Sequence, residues 1–306
     1  MMEYKKTELQ KQIESGKRIL VVEMSPPQSG DPTPLLAAAR CLVGKVHALG
    51  ISDNQERVCM SALAAASLVN SEGIEPILHV VTRDQNRIAL VSTYLGAQGL
   101  GIGNVLCTSG KHQILGDFRA ARNVYDIDSI QLLQTYAGLA NDASIIGAEG
   151  INGAAPLCLG AVASPYADPL DIQVLRLAKK VSAGAKFLIT QPIFDIDRFE
   201  TWWNEITRRG IHEQSAIIAG IRPLIDASEA EAYASRSPCP MVPEALLERI
   251  ASKSGKGGQR SMGIEIALET IERLSSFSGL RGFEICADGD SEVALDIIEK
   301  SKLRID

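Results

Sequence analysis

The chain has 306 residues, 45% of them hydrophobic and 22% charged, which is ordinary for a globular protein and enough for a full core. Its net charge is −6 and it has no long basic run, which argues against a nucleic-acid surface, where Lys and Arg must cluster to neutralise phosphates. No apolar stretch approaches a membrane span and residues 1–18 are polar rather than signal-like, so a cytoplasmic protein acting on small molecules or protein partners is expected.

The first strand, Ile19-Leu20-Val21-Val22, runs into Glu23-Met24-Ser25-Pro26-Pro27. Four β-branched or leucine residues in a row read as a strand buried on both faces, and the double proline forces the chain out of the sheet just after Glu23. The spacing then predicts a helix over 34–46, a short strand over 48–53 and an Ala-rich helix over 56–72. A strand over 77–82, a helix over 86–98 and a fourth strand over 104–110 follow. A longer polar connection, 111–128, leads to a helix over 129–139, and a glycine-rich excursion over 141–155 precedes strand five at 157–163. Next come a helix over 168–183, strand six over 185–191, a helix over 197–209 and strand seven over 215–221. A Pro-rich stretch, 237–243, introduces further helices, strand eight covers 282–287, and a helix over 291–300 closes the pattern.

Buried strands alternating with helices over this length predict an α/β fold, a single (β/α)8 TIM barrel spanning 1–306 with a short polar N-terminal segment at 1–18. A doubly wound sheet would usually carry a glycine fingerprint after strand one, and Pro26-Pro27-Gln28-Ser29-Gly30 is not one. No linker divides the chain and no repeat of solenoid period occurs.

In such a barrel the carboxyl ends of the strands converge on the active site. Here they supply Glu23, Ser52-Asp53-Asn54, His79, Thr82-Arg83-Asp84, Ser109-Gly110-Lys111-His112, Ser164, Gln191, Arg222 and Asp288. The set is poor in metal ligands, lacks a nucleophile–base pair and is rich in hydrogen-bonding groups. That composition suits chemistry carried by an organic cofactor, with the protein supplying orientation and one proton donor. The six cysteines, Cys41, Cys59, Cys107, Cys158, Cys239 and Cys286, form no C-x-x-C pair and have no histidine at ligand spacing, so they read as reduced core residues and no metal centre is expected.

Local alternatives stand beside these readings. Glu23 is also readable as a solvated carboxylate at a strand end, and His79, in mid-strand, as a satisfied core histidine. Residues 82–87 read as a helix start with Asp84 as cap and solvated arginines. Gly99-Leu100-Gly101-Ile102-Gly103 follows a helix and so marks helix termination rather than a phosphate loop. Of Trp202 and Trp203, one ring is expected on the barrel and the other partly exposed.

Taken in order, Val22-Glu23-Met24-Ser25-Pro26-Pro27, Thr82-Arg83-Asp84-Gln85-Asn86-Arg87, Asn104 to Gly110, Phe187 to Asp195 and Ala219-Gly220-Ile221-Arg222-Pro223 resemble the methylenetetrahydrofolate reductase family. The similarity runs from about Leu20 to Ala287. Ser52-Asp53-Asn54-Gln55 and the run from Asp126 to Leu133 are closest to the enzymes of anaerobic and acetogenic bacteria, which can work with an iron–sulfur partner subunit.

The resemblance implies a flavin-containing barrel of one-carbon metabolism that reduces 5,10-methylenetetrahydrofolate to 5-methyltetrahydrofolate. Glu23 matches the catalytic glutamate that assists ring opening to an iminium. Gln191 matches a folate-contacting glutamine, with Phe194 stacking on the substrate or packing below it. For the flavin the matching positions are Ser52, His79, Thr108, Ser109, Gly110, Tyr125, Asp126, Ser164 and Lys180, the last facing the flavin phosphates or, on charge pattern alone, solvent.

Three departures from the family pattern stand out. Lys111 replaces an aspartate near the flavin, Ser164 a tyrosine and Gln173 an aspartate near the ribose. FAD is favoured over FMN, with NAD(P)H or a partner subunit as the electron source and a homo- or hetero-oligomer expected. The competing class is a non-reductase folate-binding component of a corrinoid-linked methyl-transfer assembly.

Overall fold

The computed structural model describes residues 5–142, 151, 154–235, 242–301 and 303. Its strands are β1 (Ile19–Met24), β2 (Ala48–Ile51), β3 (Pro76–Val81), β4 (Asn104–Thr108), β5 (Cys158–Ala163), β6 (Phe187–Pro192), β7 (Ala216–Ile221) and β8 (Gly282–Cys286). They pair in parallel and in chain order, and β8 closes on β1 to give the expected (β/α)8 barrel. The helices that follow the strands are α2 (Thr33–Leu42), α3 (Ala62–Ser71), α4 (Arg87–Gly99), α5 (Ser129–Asp142), α6 (Leu170–Ser182), α7 (Ile196–Arg208) and α12 (Ser291–Lys300).

Alternation along each strand sorts side chains into two cores. Ile19, Val21, Ala48, Ile77, Leu106, Phe187, Ile189 and Ile218 fill the inside, while Leu20, Val22, Leu49, Leu78, Val105, Leu188 and Phe283 pack outward under the helices. Space inside is tight: a Cβ on Gly160 would stand 2.2 Å from the Phe187 ring, so the ring occupies the room that glycine leaves.

The N-terminal segment is more than a polar tail. It contains α1 (Glu8–Ser15), with Thr7 accepting from the Gln10 amide at one end and Gly16, φ +77°, turning the chain at the other. Leu9 is wholly buried in the inner core, Thr7 Oγ1 donates to Asn104 Oδ1 at 2.7 Å, and the Arg281 guanidinium donates to the carbonyls of Gln12 and Ile13. The helix therefore plugs the amino-terminal end of the barrel.

Between β7 and β8 the chain adds α9 (Ala227–Ala234), α10 (Glu244–Ala251) and α11 (Gly255–Leu274), preceded by the short α8 (Ile211–Gln214) between α7 and β7. Phe194, Leu224, Ala230, Ile250, Met262 and Ile266 form a third core there, on one side of the barrel mouth.

Several local expectations need correction. Both Trp202 and Trp203 are buried, because Phe277 after α11 and His212 on α8 pack against Trp203. Asn86, not Asp84, caps α4, accepting from the Ala89 amide, and Arg83 is 6% exposed rather than solvated. Cys107, Cys158 and Cys286 are buried free thiols, but Cys41 is exposed and Cys59 partly so; Cys239 lies outside the described residues. Helix α4 does end in the glycine run, with Gly101 at φ +71°. No described helix is long and apolar enough to cross a membrane.

Candidate active site

Ile19 and Val21 face inward on β1, so Glu23 takes the next inward position at the carboxyl end, in register with Gly50 on β2 and Cys286 on β8. Its Oε1 accepts from Gln55 Nε2 at 2.6 Å and its Oε2 faces the Cys286 thiol at 3.7 Å. Burial pushes the carboxyl above the ordinary range and the charge of Asp288 adds to this, while Arg222, Gln55 and Cys286 act the other way. Arg222 is tied to Asp288 and lies over the Tyr233 ring, 4.5 Å from its centroid, so part of its charge is already met. A carboxyl held toward its acid form at a barrel mouth is placed to donate a proton.

Below Glu23 the barrel interior turns polar in a way the sequence reading missed. Glu284, in the middle of β8, is 3% exposed, and the Cys286 thiol stands 3.8 Å from its Oε2. His79 on β3 is buried with Nε2 unpartnered, and burial lowers it to about 4, so the ring is neutral. The signal was a glutamate two residues before a cysteine inside Gly282-Phe283-Glu284-Ile285-Cys286, a spacing that puts both on one face of a strand. The ligand-type atoms of Glu23, Glu284 and Cys286 lie within 4.8 Å of one another, a grouping that spacing along the chain does not reveal.

The other expected site residues surround the mouth. Ser52 is buried and donates to Ser25 Oγ at 3.1 Å. Thr108 Oγ1 accepts from the Gly110 amide at 3.3 Å, and Gly110, φ +78°, admits no side chain because a Cβ would stand 2.5 Å from Val81 Cγ1. Ser109 Oγ accepts from the Ser129 amide at the start of α5. Ser164 is half-buried just after β5, and Tyr125 sits exposed at φ +42°, an uncommon conformation for a bulky residue. Asp126 is engaged by the backbone and guanidinium of Arg87, which hold its carboxyl down at about 2.

Three further residues have partners within the protein. Lys180 does not point to solvent: its amine donates to the Val162 carbonyl at 2.6 Å, and burial lowers it to about 8. Lys111 pairs with Glu56 at 3.1 Å, and its carbonyl accepts from Arg83. Phe194 is 7% exposed and packs edge-on to Tyr233 in the third core, beside the mouth. Gln191 lies where the β6–β7 register shifts, between Ile189 and Pro192, and such a bulge re-aims a side chain. Arg83 links these loops by donating also to the Asn54 carbonyl and to Asp84.

The sequence model of methylenetetrahydrofolate reductase matches residues 8–302. The chain belongs to the methylenetetrahydrofolate reductase family. Among curated members, a probable methylenetetrahydrofolate reductase (NADPH) of Caenorhabditis elegans is 25% identical over 222 residues, 72% of this chain and 31% of that protein. Methylenetetrahydrofolate reductase 1 of Schizosaccharomyces pombe is 27% identical over 122 residues, 38% of this chain and 20% of that one. The chain thus matches no more than about a third of the length of these relatives. Among solved structures, a Clostridium thermocellum protein that binds two copies of 5-methyl-5,6,7,8-tetrahydrofolic acid shares the fold at 15% identity. Its TM-score is 0.66, with 95% of this chain and 99% of that one covered.

Proposed function

We propose that this member of the methylenetetrahydrofolate reductase family reduces 5,10-methylenetetrahydrofolate to 5-methyltetrahydrofolate, with Glu23 as the general acid. The observation that carries the reading is Glu23 itself, an inward carboxyl at the barrel mouth, aimed by Gln55 and pushed toward its acid form by burial. Opening the five-membered ring needs a proton on a folate nitrogen as the iminium forms, and a positioned acid contributes about 10²–10⁴-fold to such a step. Gln191 would bond the pterin edge, and Phe194 would support that loop from the side. Bound flavin, FAD in preference to FMN, supplies the hydride.

Groups at the mouth would suit a flavin ring edge: the hydroxyls of Thr108, Ser164 and Tyr125 as donors, the Ser52 oxygen, whose hydrogen goes to Ser25, as an acceptor, and the Gly110 turn where the backbone passes without a side chain. The Lys180 amine donates to the Val162 carbonyl and Lys111 pairs with Glu56, and each ammonium has three donors, so either would keep hydrogens for the flavin phosphates. Electrons would come from NAD(P)H, as in the name of the C. elegans relative, or from an iron–sulfur partner.

The test is anaerobic mixing of the purified, flavin-loaded protein with 5-methyltetrahydrofolate, following the oxidised flavin absorbance. Bleaching that disappears in Glu23→Gln is expected. Flavin that binds but never bleaches removes the reductase reading, and failure to bind flavin at all moves the chain to the folate-binding role in corrinoid-linked methyl transfer.

A further inference from the structure

Glu284 and Cys286 stand one above the other on the inward face of β8, and the column ends at Glu23. The Cys286 thiol lies between the two carboxyls, 3.7 Å from Glu23 Oε2 and 3.8 Å from Glu284 Oε2. Glu284 Oε1 has no hydrogen-bond partner. Facing it from β3 is His79 Nε2, also unpartnered; both atoms lie 3.1 Å from the point where a Cβ on Gly50 would stand. The remaining charged and titratable groups, Arg222, Asp288 and Tyr233, act on Glu23, as does the Gln55 amide. Among the described residues no cation is bonded to Glu284.

An inventory of hydrogens decides where the proton sits. A thiol has one hydrogen and can serve only one of the two carboxyls at a time. Glu23 has a second donor in Gln55 and the Arg222 charge nearby, so it is the member suited to becoming an anion. Glu284 has neither, and an unpaired carboxylate is the costliest state open to a buried acid. Burial and the neighbouring Glu23 both push Glu284 well above the ordinary carboxylate range, and burial keeps the Cys286 thiol protonated.

We propose that Glu284 is a standing carboxylic acid that works through Cys286: its O–H is directed to the thiol sulfur and the thiol S–H to Glu23 Oε2. The chain of donors supports the negative charge that Glu23 acquires when it gives its proton to the substrate. No proton leaves Glu284 and nothing is oxidised or reduced in this role. Glu284 is a positioning residue, and its role rests on the reading of Glu23 as the general acid.

Infrared spectroscopy of the resting protein, with ¹³C-labelled glutamate for assignment, tests the protonation directly and needs no turnover. A protonated-carboxyl C=O band at neutral pH that survives Glu23→Gln and vanishes in Glu284→Gln is expected. Absence of that band overturns the proposal. So does a stoichiometric divalent cation that purifies with the protein and is lost in Glu284→Gln, because the three groups would then be ligands.

The pH profile of the folate half-reaction reads the coupling. Glu284→Gln is neutral and still donates, so the limb assigned to Glu23 should stay in place. Glu284→Val removes the donor and should move that limb up by about one unit, a tenfold change in the Glu23 equilibrium. A limb that falls by about a unit or more in Glu284→Gln would mean Glu284 carries charge, and the proposal fails. If the wild type shows no folate chemistry, the infrared result still stands alone, so failure of the reductase reading and failure of this one are separable.

Discussion

Gln55 Nε2 donates to Glu23 Oε1 at 2.6 Å, so the acid on β1 is aimed by a side chain from the loop after β2. Glu23→Gln keeps the shape and removes the proton, and the folate half-reaction should slow by about 10²–10⁴-fold. Gln55→Leu should cost less, about tenfold, because the acid remains but loses its orientation. It should also shift the pH limb upward, since a donor to the carboxylate form is gone. Stopped-flow bleaching across a pH series measures both, and a Gln55→Leu limb that moves downward would contradict this geometry.

The Lys111 amine lies 3.1 Å from Glu56, with both side chains partly exposed. An aspartate here, which the family resemblance implies, would favour a cationic iminium, and an uncovered lysine beside a bound flavin would instead raise its potential by stabilising an anionic reduced ring. Pairing with Glu56 offsets that charge. Removing either partner uncovers the other, so Glu56→Gln should raise the flavin midpoint potential, Lys111→Ala should lower it, and the double variant should stay near the wild type. Potentiometric titration decides, and single variants that both leave the potential unchanged would place the pair away from the flavin.

The strands were legible because a parallel barrel buries both faces of each one, leaving continuous apolar runs that polar loops interrupt. Helix α1 was not, because Leu9 and Ile13 are its only bulky apolar residues and their burial depends on where the barrel base falls. Glu23, Ser52, Ser109 and Gln191 could be nominated from strand ends, whereas Glu284 lies a full inward layer deeper on β8. Finding it required knowing which face of β8 turns inward and that Glu23 ends the neighbouring strand. The pairing of Lys111 and the bond from Lys180 to the Val162 carbonyl depend on loop and helix contacts that periodicity does not encode.

Leu9 supplies the test of the plug. A wholly buried leucine cut back to alanine loses its transfer free energy and leaves a cavity, so Leu9→Ala should destabilise the fold by about 2–5 kcal/mol. Urea denaturation measures it, and a change below about 0.5 kcal/mol, the range of an ordinary surface substitution, would mean that α1 is not docked.

Gly50 faces both His79 Nε2 and Glu284 Oε1, and a Cβ there would lie 3.1 Å from each. Gly50→Ala should cost about 1–3 kcal/mol by overpacking this polar layer. Combining it with Glu284→Ala, which withdraws one of the two contacts, should cost less than the sum of the single changes. Strict additivity would show that the methyl is accommodated elsewhere.

Asp53, just beyond β2, is 9% exposed, and its carboxyl is pushed up to about 6, first by burial and then by the charge of Asp84, against the opposing pull of Arg83 and the Val81 amide. The folded state therefore prefers the acid form. The stability this contributes is complete below the unfolded value near 4 and is lost as pH rises through about 6. A gap of roughly two units corresponds to about 3 kcal/mol at most. Asp53→Asn removes the ionisation while keeping the acceptor oxygen, so the variant should match the wild type at pH 4 and exceed it at pH 8 by up to that amount. Urea denaturation of both proteins across this range measures the difference. Curves that stay parallel from acid to alkaline pH would show that Asp53 ionises in the fold as easily as in the unfolded chain, with Arg83 outweighing both burial and Asp84.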